Sequence, residues 1–359
     1  MKYKLGDVCS RLSSGKGISA KLISAAGNYP VYGGNGLRGY TECSNFTGEC
    51  AIIGRQGAFC GNVRYFSGDA YMTEHAVVAC ANEDNDTRYL SYLLSTMQLG
   101  RLSGQSAQPG LSVKVLSQQE VDLPSLEQQQ KVVGILAPIE NKIQLNNSIN
   151  KNLEQQAQAI FKAWFIDFEP FSNRKPSDWS VSTLGNVSIM GAGGDKPQNV
   201  SPRKTDLYEY PIYSNGLSNE GLYGFTDNPK VSEESVTVSA RGTIGFVCLR
   251  HIPYVPIVRL VTLIPKTEII SAKYLYLWLK QLHITGTGTT QQQLTVPDFQ
   301  KTEILVPSKE IVTLFTATVE PIFEKIWANQ NENEKLSSLR DTLLPKLLSG
   351  ELDVSDIDL

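Results

Sequence analysis

Histidine and methionine are scarce in this chain of 359 residues, with three and four copies, and its six cysteines form no CxxC pair. Cys9, Cys43, Cys50, Cys60 and Cys80 lie in the first quarter and Cys248 far beyond. That spacing suits neither a zinc site nor a disulfide framework, so the thiols read as free and the compartment as reducing. His75, His251 and His283 have no partner at metal-ligand spacing. No apolar run approaches the roughly 20 residues of a membrane helix, and the opening MKYKLGDVCS has no signal-peptide pattern. The expectation is a cytoplasmic protein with no metal and no membrane contact.

Catalytic signatures are missing too. GAGGDK, residues 191–196, lacks the spacing of a phosphate loop, and Lys196 is followed by Pro197. There is no NPPY-like tetrapeptide of an amino-methyltransferase and no GxSxG elbow. Pro297-Asp298 is followed by Glu303 but by no lysine two residues later, as a metal nuclease would need. No catalytic residue is expected.

Net positive charge is absent as well: the formal charge is −3, with residues 308–359 holding five Lys/Arg against ten Asp/Glu and the remainder 28 against 26. A protein that held DNA alone by counterion release would be far more basic. If the chain binds DNA, a partner supplies much of the phosphate attraction.

What is present is a repeat. YPVYGGNGLRGYT at 29–41 returns as YPIYSNGLSNEGLYGFT at 210–226, and KLGDV at 4–8 as TLGNV at 183–187. IGRQGAFCGNV at 53–63 faces SARGTIGFV at 239–247, and RYLSYLL at 88–94 faces KYLYLWL at 273–279. Gln-rich approaches end at Pro124 and Pro307. Five matches in one order, offset by 179 to 186 residues, mark a tandem duplication.

Each copy ends in a heptad seam. Val132, Leu136, Ile139, Ile143, Asn146, Asn150, Leu153, Ala157, Ile160 and Trp164 alternate spacings of four and three, and adding 183 gives Phe315, Val319, Ile322, Ile326, Asn329, Asn333, Leu336, Arg340, Leu343 and Leu347. Ser125 with Gln128 fits a capping box, and Ser308 stands at the matching place. Pro138 and Pro321 correspond, which predicts a kink or break in each helix. From Pro138 to Phe165 is 28 residues, roughly 42 Å if helical. Seam asparagines are satisfied only in particular registers, and in an antiparallel pair Asn146 and Asn150 meet Asn329 and Asn333; the alternative is a frayed seam with these amides in solvent. Arg340 breaks the match with Ala157 and leaves the pairing near it open. The aromatic exit at 164–168 has no counterpart at 347–351 and is expected to pack where the first helix leads into the second domain.

Before each seam the chain reads as mixed α and β. CAIIG, HAVVAC, SVTVSA and RLVTLI are strand-like. The helices at 88–94 and 273–279 have Asp86 and Ser271 as N-cap candidates, and their Tyr and Leu stripes are core. The fold class is therefore α+β: two tandem mixed α/β domains separated and joined by two long helices that form an antiparallel coiled coil, with a pseudo-twofold internal repeat. Expected boundaries are 1–124, 125–170, 171–307 and 308–359.

Recognition belongs to the loops. Arg38 and Tyr40, with Asn219 and Tyr223 in the second copy, could reach base edges or phosphates. Arg55 and Arg241 are the matched arginines, and Arg reads guanine through O6 and N7; each could equally be a structural ion-pair partner. Gln105, Gln108, Gln291 and Gln292 can bond adenine bidentately or cap strands.

The wording LGDV near the start, LPSLEQQQKVVGIL with IENKIQLNNSINKNLEQQAQAIFKAWFIDFEPF, and LRDTLLPKLLSGEL resembles the specificity (S) subunit of type I restriction-modification systems over almost the whole length. The resemblance implies a non-catalytic subunit. Each target recognition domain reads one half of a bipartite double-stranded DNA site, and the helical spacers bind two modification (methyltransferase) subunits. S-adenosylmethionine then belongs to the adenine-methylating partners, ATP and Mg to restriction subunits that join them, and no cofactor to this chain. The unlike loops of the two copies imply different half-sites. An alternative is the recognition part of a fused restriction-methyltransferase, which methyl transfer by the purified chain would favour. Another is a scaffold unrelated to DNA, marked by lack of sequence-selective affinity even with a methyltransferase partner.

Overall fold

A seam of apolar and Asn residues every three to four positions needs an uninterrupted helix to keep one face inward, and both copies supply one: Leu126–Phe165 and Lys309–Ser349. The computed structural model that shows them describes residues 2–103, 110–286, 293–355 and 357. The first helix has 40 residues, about 60 Å of rise. The expected break at the prolines is absent, for both helices run through Pro138 and Pro321. Pro138 forfeits the bond to the Gly134 carbonyl, but buried Val132 and Leu136 before it and Asn146 after it hold the axis by packing.

Two compact units divide the chain, residues 1–146 with 331–359, and residues 147–330. In the first, a six-stranded sheet runs in the order Cys9–Ser14, Ala76–Ala81, Phe46–Gly54, Val63–Met72, Tyr29–Gly33, Gly36–Thr41. All neighbours are antiparallel except Tyr29–Gly33 beside Val63–Met72. A pair Lys2–Lys4 and Glu120–Asp122 lies apart from it.

The second unit repeats that order with one break. Ser188–Ala192, Val261–Pro265, Ser235–Val238 and Val247–Arg250 make a four-stranded sheet, and Val255–Pro256, Tyr210–Tyr213 and Leu222–Thr226 a three-stranded one. The single strand Val63–Met72 of the first unit is thus split in the second at residues 251–254, where Pro253 has no N–H to offer a ladder.

The short helices Thr87–Thr96 and Ala272–Gln281 start as expected: Asp86 accepts from the Tyr89 amide at 2.8 Å and Ser271 from the Tyr274 amide at 3.2 Å. Their Tyr89, Leu90, Tyr274 and Leu275 are core. Each also docks on a long helix through one carboxylate. Glu140 accepts from Tyr92 at 2.8 Å and pairs with Arg88 at 3.2 Å, and Glu154 accepts from Tyr276 and pairs with Lys280 at 3.5 Å.

Ser125 and Gln128 close the capping box, each accepting from the other's backbone amide at 3.3 Å. Within the first unit the long helices pair so that the Asn146 amide donates to Asn333 at 2.9 Å and to Glu332 at 2.8 Å. Within the second, Asn329 donates to Asn150 at 2.8 Å, and Asn150 to the Ile326 carbonyl at 3.3 Å. First-helix numbers rise as their partners' fall, so the pairing is antiparallel. The same register sets Val132, Leu136 and Ile139 toward Leu347, Leu343 and Arg340, Ile143 toward Leu336, and Leu153 toward Ile326. Arg340 turns to its neighbour Asp341 instead, at 2.7 Å. Ile322 packs with Ala157 in the second unit's core.

At the exit of the first helix, Phe165, Phe168 and Phe171 ring Trp179 at centroid distances of 5.6, 6.0 and 5.0 Å. The first unit has no such rings at its second-helix exit. There Val354 and Ile357 pack onto the core that holds Leu136 and Leu347, and Lys131 donates to the Ser355 carbonyl at 2.7 Å.

Candidate nucleic-acid interface

In the first unit the strands Tyr29–Gly33 and Gly36–Thr41 meet at a tight end, with Gly33 paired to Gly36. Gly36 has φ 99°, a backbone conformation that glycine adopts without strain and that sets this tight turn beside the Arg64 guanidinium. Arg38 is exposed, its stem crossing Gly33, while Tyr40 is half-buried with its backbone bonded to Ser24. Arg64, not singled out from the sequence, donates to the Asn35 carbonyl at 3.4 Å and adds a second exposed cation to this hairpin end. Its only sequence signal is a place on a strand, which says nothing of the turn it covers.

Arg55 and Arg241 differ in surroundings. Arg55 is half-buried, its guanidinium 3.5 Å from Ser14 Oγ and 3.4 Å from the Glu74 carbonyl. Arg241 is exposed and donates to Gln293 at 3.1 Å. Both loops are tied to the edges of the Gln-rich segments: the Leu111 amide donates to the Arg55 carbonyl at 2.8 Å, and the Leu294 amide to the Ala240 carbonyl at 3.0 Å. Gln105, Gln108, Gln291 and Gln292 themselves lie outside the described residues.

In the second unit Asn219 and Glu220 both have positive φ, 46° and 53°. The conformation is pinned by buried Arg250, which donates to the Glu220 carbonyl at 2.7 Å and its carboxylate at 2.9 Å while lying 3.6 Å over the Tyr213 ring. Asn219 is thereby held at an exposed corner, and Tyr223, half exposed, carries Lys196 over its ring at 5.9 Å.

The family profile described as "Type I restriction modification DNA specificity domain" matches residues 1–155 and again 176–337. The chain belongs to that family. This specificity subunit is 29% identical over 338 residues to a Mycoplasma pneumoniae protein provisionally assigned as a type I specificity subunit, covering 92% of this chain and 90% of that one. It is 28% identical over 328 residues to the type I restriction enzyme HindI specificity subunit of Haemophilus influenzae, covering 68% and 71%. The crystal structure of a type I restriction-modification S subunit from M. genitalium shares its fold, with a TM-score of 0.63 at 18% identity over 97% of this chain and 95% of that one.

Specificity subunits of this family read DNA and leave catalysis to partner chains. Burial pushes the Cys9, Cys50 and Cys248 thiols up to about 12, which keeps them protonated and poor nucleophiles at neutral pH. Among the described residues no group of three or more His, Cys, Asp or Glu is placed to hold a metal ion. No helix among them is long and apolar enough to cross a membrane.

Proposed function

We propose that this specificity subunit reads a bipartite DNA site, one block with each copy of the repeat, and recruits two adenine methyltransferase subunits, through which restriction subunits join. In this reading residues 1–124 and 171–307 are the target recognition domains and 125–170 and 308–359 the helical spacers. The observation that carries it is the duplicated architecture: each copy builds the same strand order and ties an Arg-bearing loop to the flank of a Gln-rich segment. Two copies of one device with unlike side chains suit two different half-sites. Arg38, Tyr40 and Arg64 would serve one block, and Asn219, Tyr223 and Arg241 the other. S-adenosylmethionine would be held by the methyltransferase partners, ATP and Mg by the restriction partners, and the complex would work in the cytoplasm. The net charge of −3 accords with partners that supply most of the phosphate contacts.

Methylome sequencing of cells expressing the chain with and without its neighbouring methyltransferase subunit tests the reading. A bipartite adenine-methylated motif appears only when both are present. With both proteins soluble and associated, lack of any motif overturns it.

A further inference from the structure

The strands Val255–Pro256 and Val261–Pro265 are joined by the four-residue turn 257–260, closed by the Leu260 amide donating to the Ile257 carbonyl at 3.1 Å. Its two central residues are Val258 and Arg259, with φ of 51° and 61°. Positive φ at both central positions is the pattern of a type I′ turn, which asks for Asn-Gly or Gly-Gly. A β-branched residue there is among the least favoured choices.

Neither side chain repays that choice inside the fold. Val258 is 51% exposed, Arg259 is exposed, and among the described residues the Arg259 guanidinium makes no hydrogen bond or ion pair. The backbone, by contrast, is clamped. The Val258 and Arg259 amides donate to the Gly194 and Gly193 carbonyls at 2.9 and 2.8 Å, which gives the GAGGDK stretch its use. A Cβ on Gly193 would lie 2.7 Å from the Ile257 amide nitrogen, so the clamp needs glycine. Asn215 donates to the Val258 carbonyl at 2.7 Å and accepts from the Ala240 amide at 2.7 Å. One amide side chain thus joins the residue before Arg259 to the residue before Arg241.

In the first copy the matching turn is Thr73 to Ala76, closed at 3.0 Å, with Glu74 and His75 at its centre and no positive φ. There the Arg55 amide bonds directly to the His75 carbonyl at 2.9 Å. Both copies therefore fix this turn against the Arg loop, but only the second builds it from unfavourable residues and leaves a cation unpaired. A strained conformation held by its surroundings with its side chains unused by them points to a ligand.

We infer that Arg259 reads a base edge in the half-site of the second copy, with Val258 as an apolar contact beside it. The inference rests on the DNA-reading function proposed above. Arg is suited to guanine O6 and N7, and an apolar neighbour to a thymine methyl.

The test is the double variant Val258→Asn, Arg259→Gly in the full chain, co-expressed with the methyltransferase subunit, beside Arg259→Ala. Asn-Gly is the favoured type I′ pair, so the thermal midpoint of the double variant stays level or rises. Methylation of the native motif falls by roughly tenfold to a hundredfold, and base preference relaxes at one position of one half-site. Arg259→Ala gives the same relaxed position. A stable double variant that methylates the unchanged motif at the native rate overturns the inference. So does a loss spread evenly over all sequences with a smaller salt slope, which marks a phosphate contact. Absence of a motif with the native chain counts against the DNA-reading function instead.

Discussion

At Asn146, 1% exposed, the side-chain amide finds two acceptors while the carbonyl oxygen has no hydrogen-bond partner among the described residues. A seam residue of this kind costs stability and repays it in register, because a slip by one turn toward the far end of the second helix would face the amide with Leu336. Replacing Asn146 by Leu should destabilise the first unit by roughly 1–3 kcal/mol through loss of its hydrogen bonds to Asn333 and Glu332. Asn333→Leu should do the same, and the double variant should cost clearly less than the two together. Denaturant midpoints of the transition reporting that unit give the coupling; strictly additive single effects would show that the amides do not act as a pair. The seam asparagines were legible because identical residues recur at one offset in a heptad frame. Arg64 and Arg259 were not, for a lone arginine on a strand or turn carries no periodicity, and its exposure depends on backbone contacts distant in sequence.

Among the elements, the long helices stand out for running through proline. Pro138 is exposed, loses the hydrogen bond to the Gly134 carbonyl and strains the turn before it. The loss of about 3 kcal/mol in a helix interior is offset in part by the stiffer unfolded chain, roughly 0.4–1 kcal/mol. Pro138→Ala should therefore raise stability by about 2 kcal/mol and lift the thermal midpoint. A lower midpoint would mean that the proline's geometry is needed to seat Val132 and Leu136. Periodicity revealed these helices but not their continuity, since local propensity marks a proline as a stop and only packing on both sides overrides it. The strands were legible where Val and Ile cluster, whereas the split at residues 251–254 was not, because Tyr254 and Val255 look as strand-like as their counterparts.

For the whole molecule, the repeat made the architecture readable before any coordinates, while the recognised bases stay hidden, as side-chain identity at a loop tip is not tied to the fold. If the spacer helices set the gap between the two DNA blocks, deleting one heptad from each, on both sides of the pairing, should shorten the tolerated gap. An unchanged gap in the methylated motif of that variant would sink the idea. The two units also differ in how the chain supplies them. The second is one continuous stretch, residues 147–330, whereas the first takes residues 1–146 and then 331–359. During synthesis the second can close on itself as soon as its own residues have emerged. The first lacks Leu347 and Val354 from the core that holds Val132 and Leu136 until the far segment arrives. The N-terminal unit, first to be made, is thus the last to be completed, its core short of those residues while the second unit is already whole.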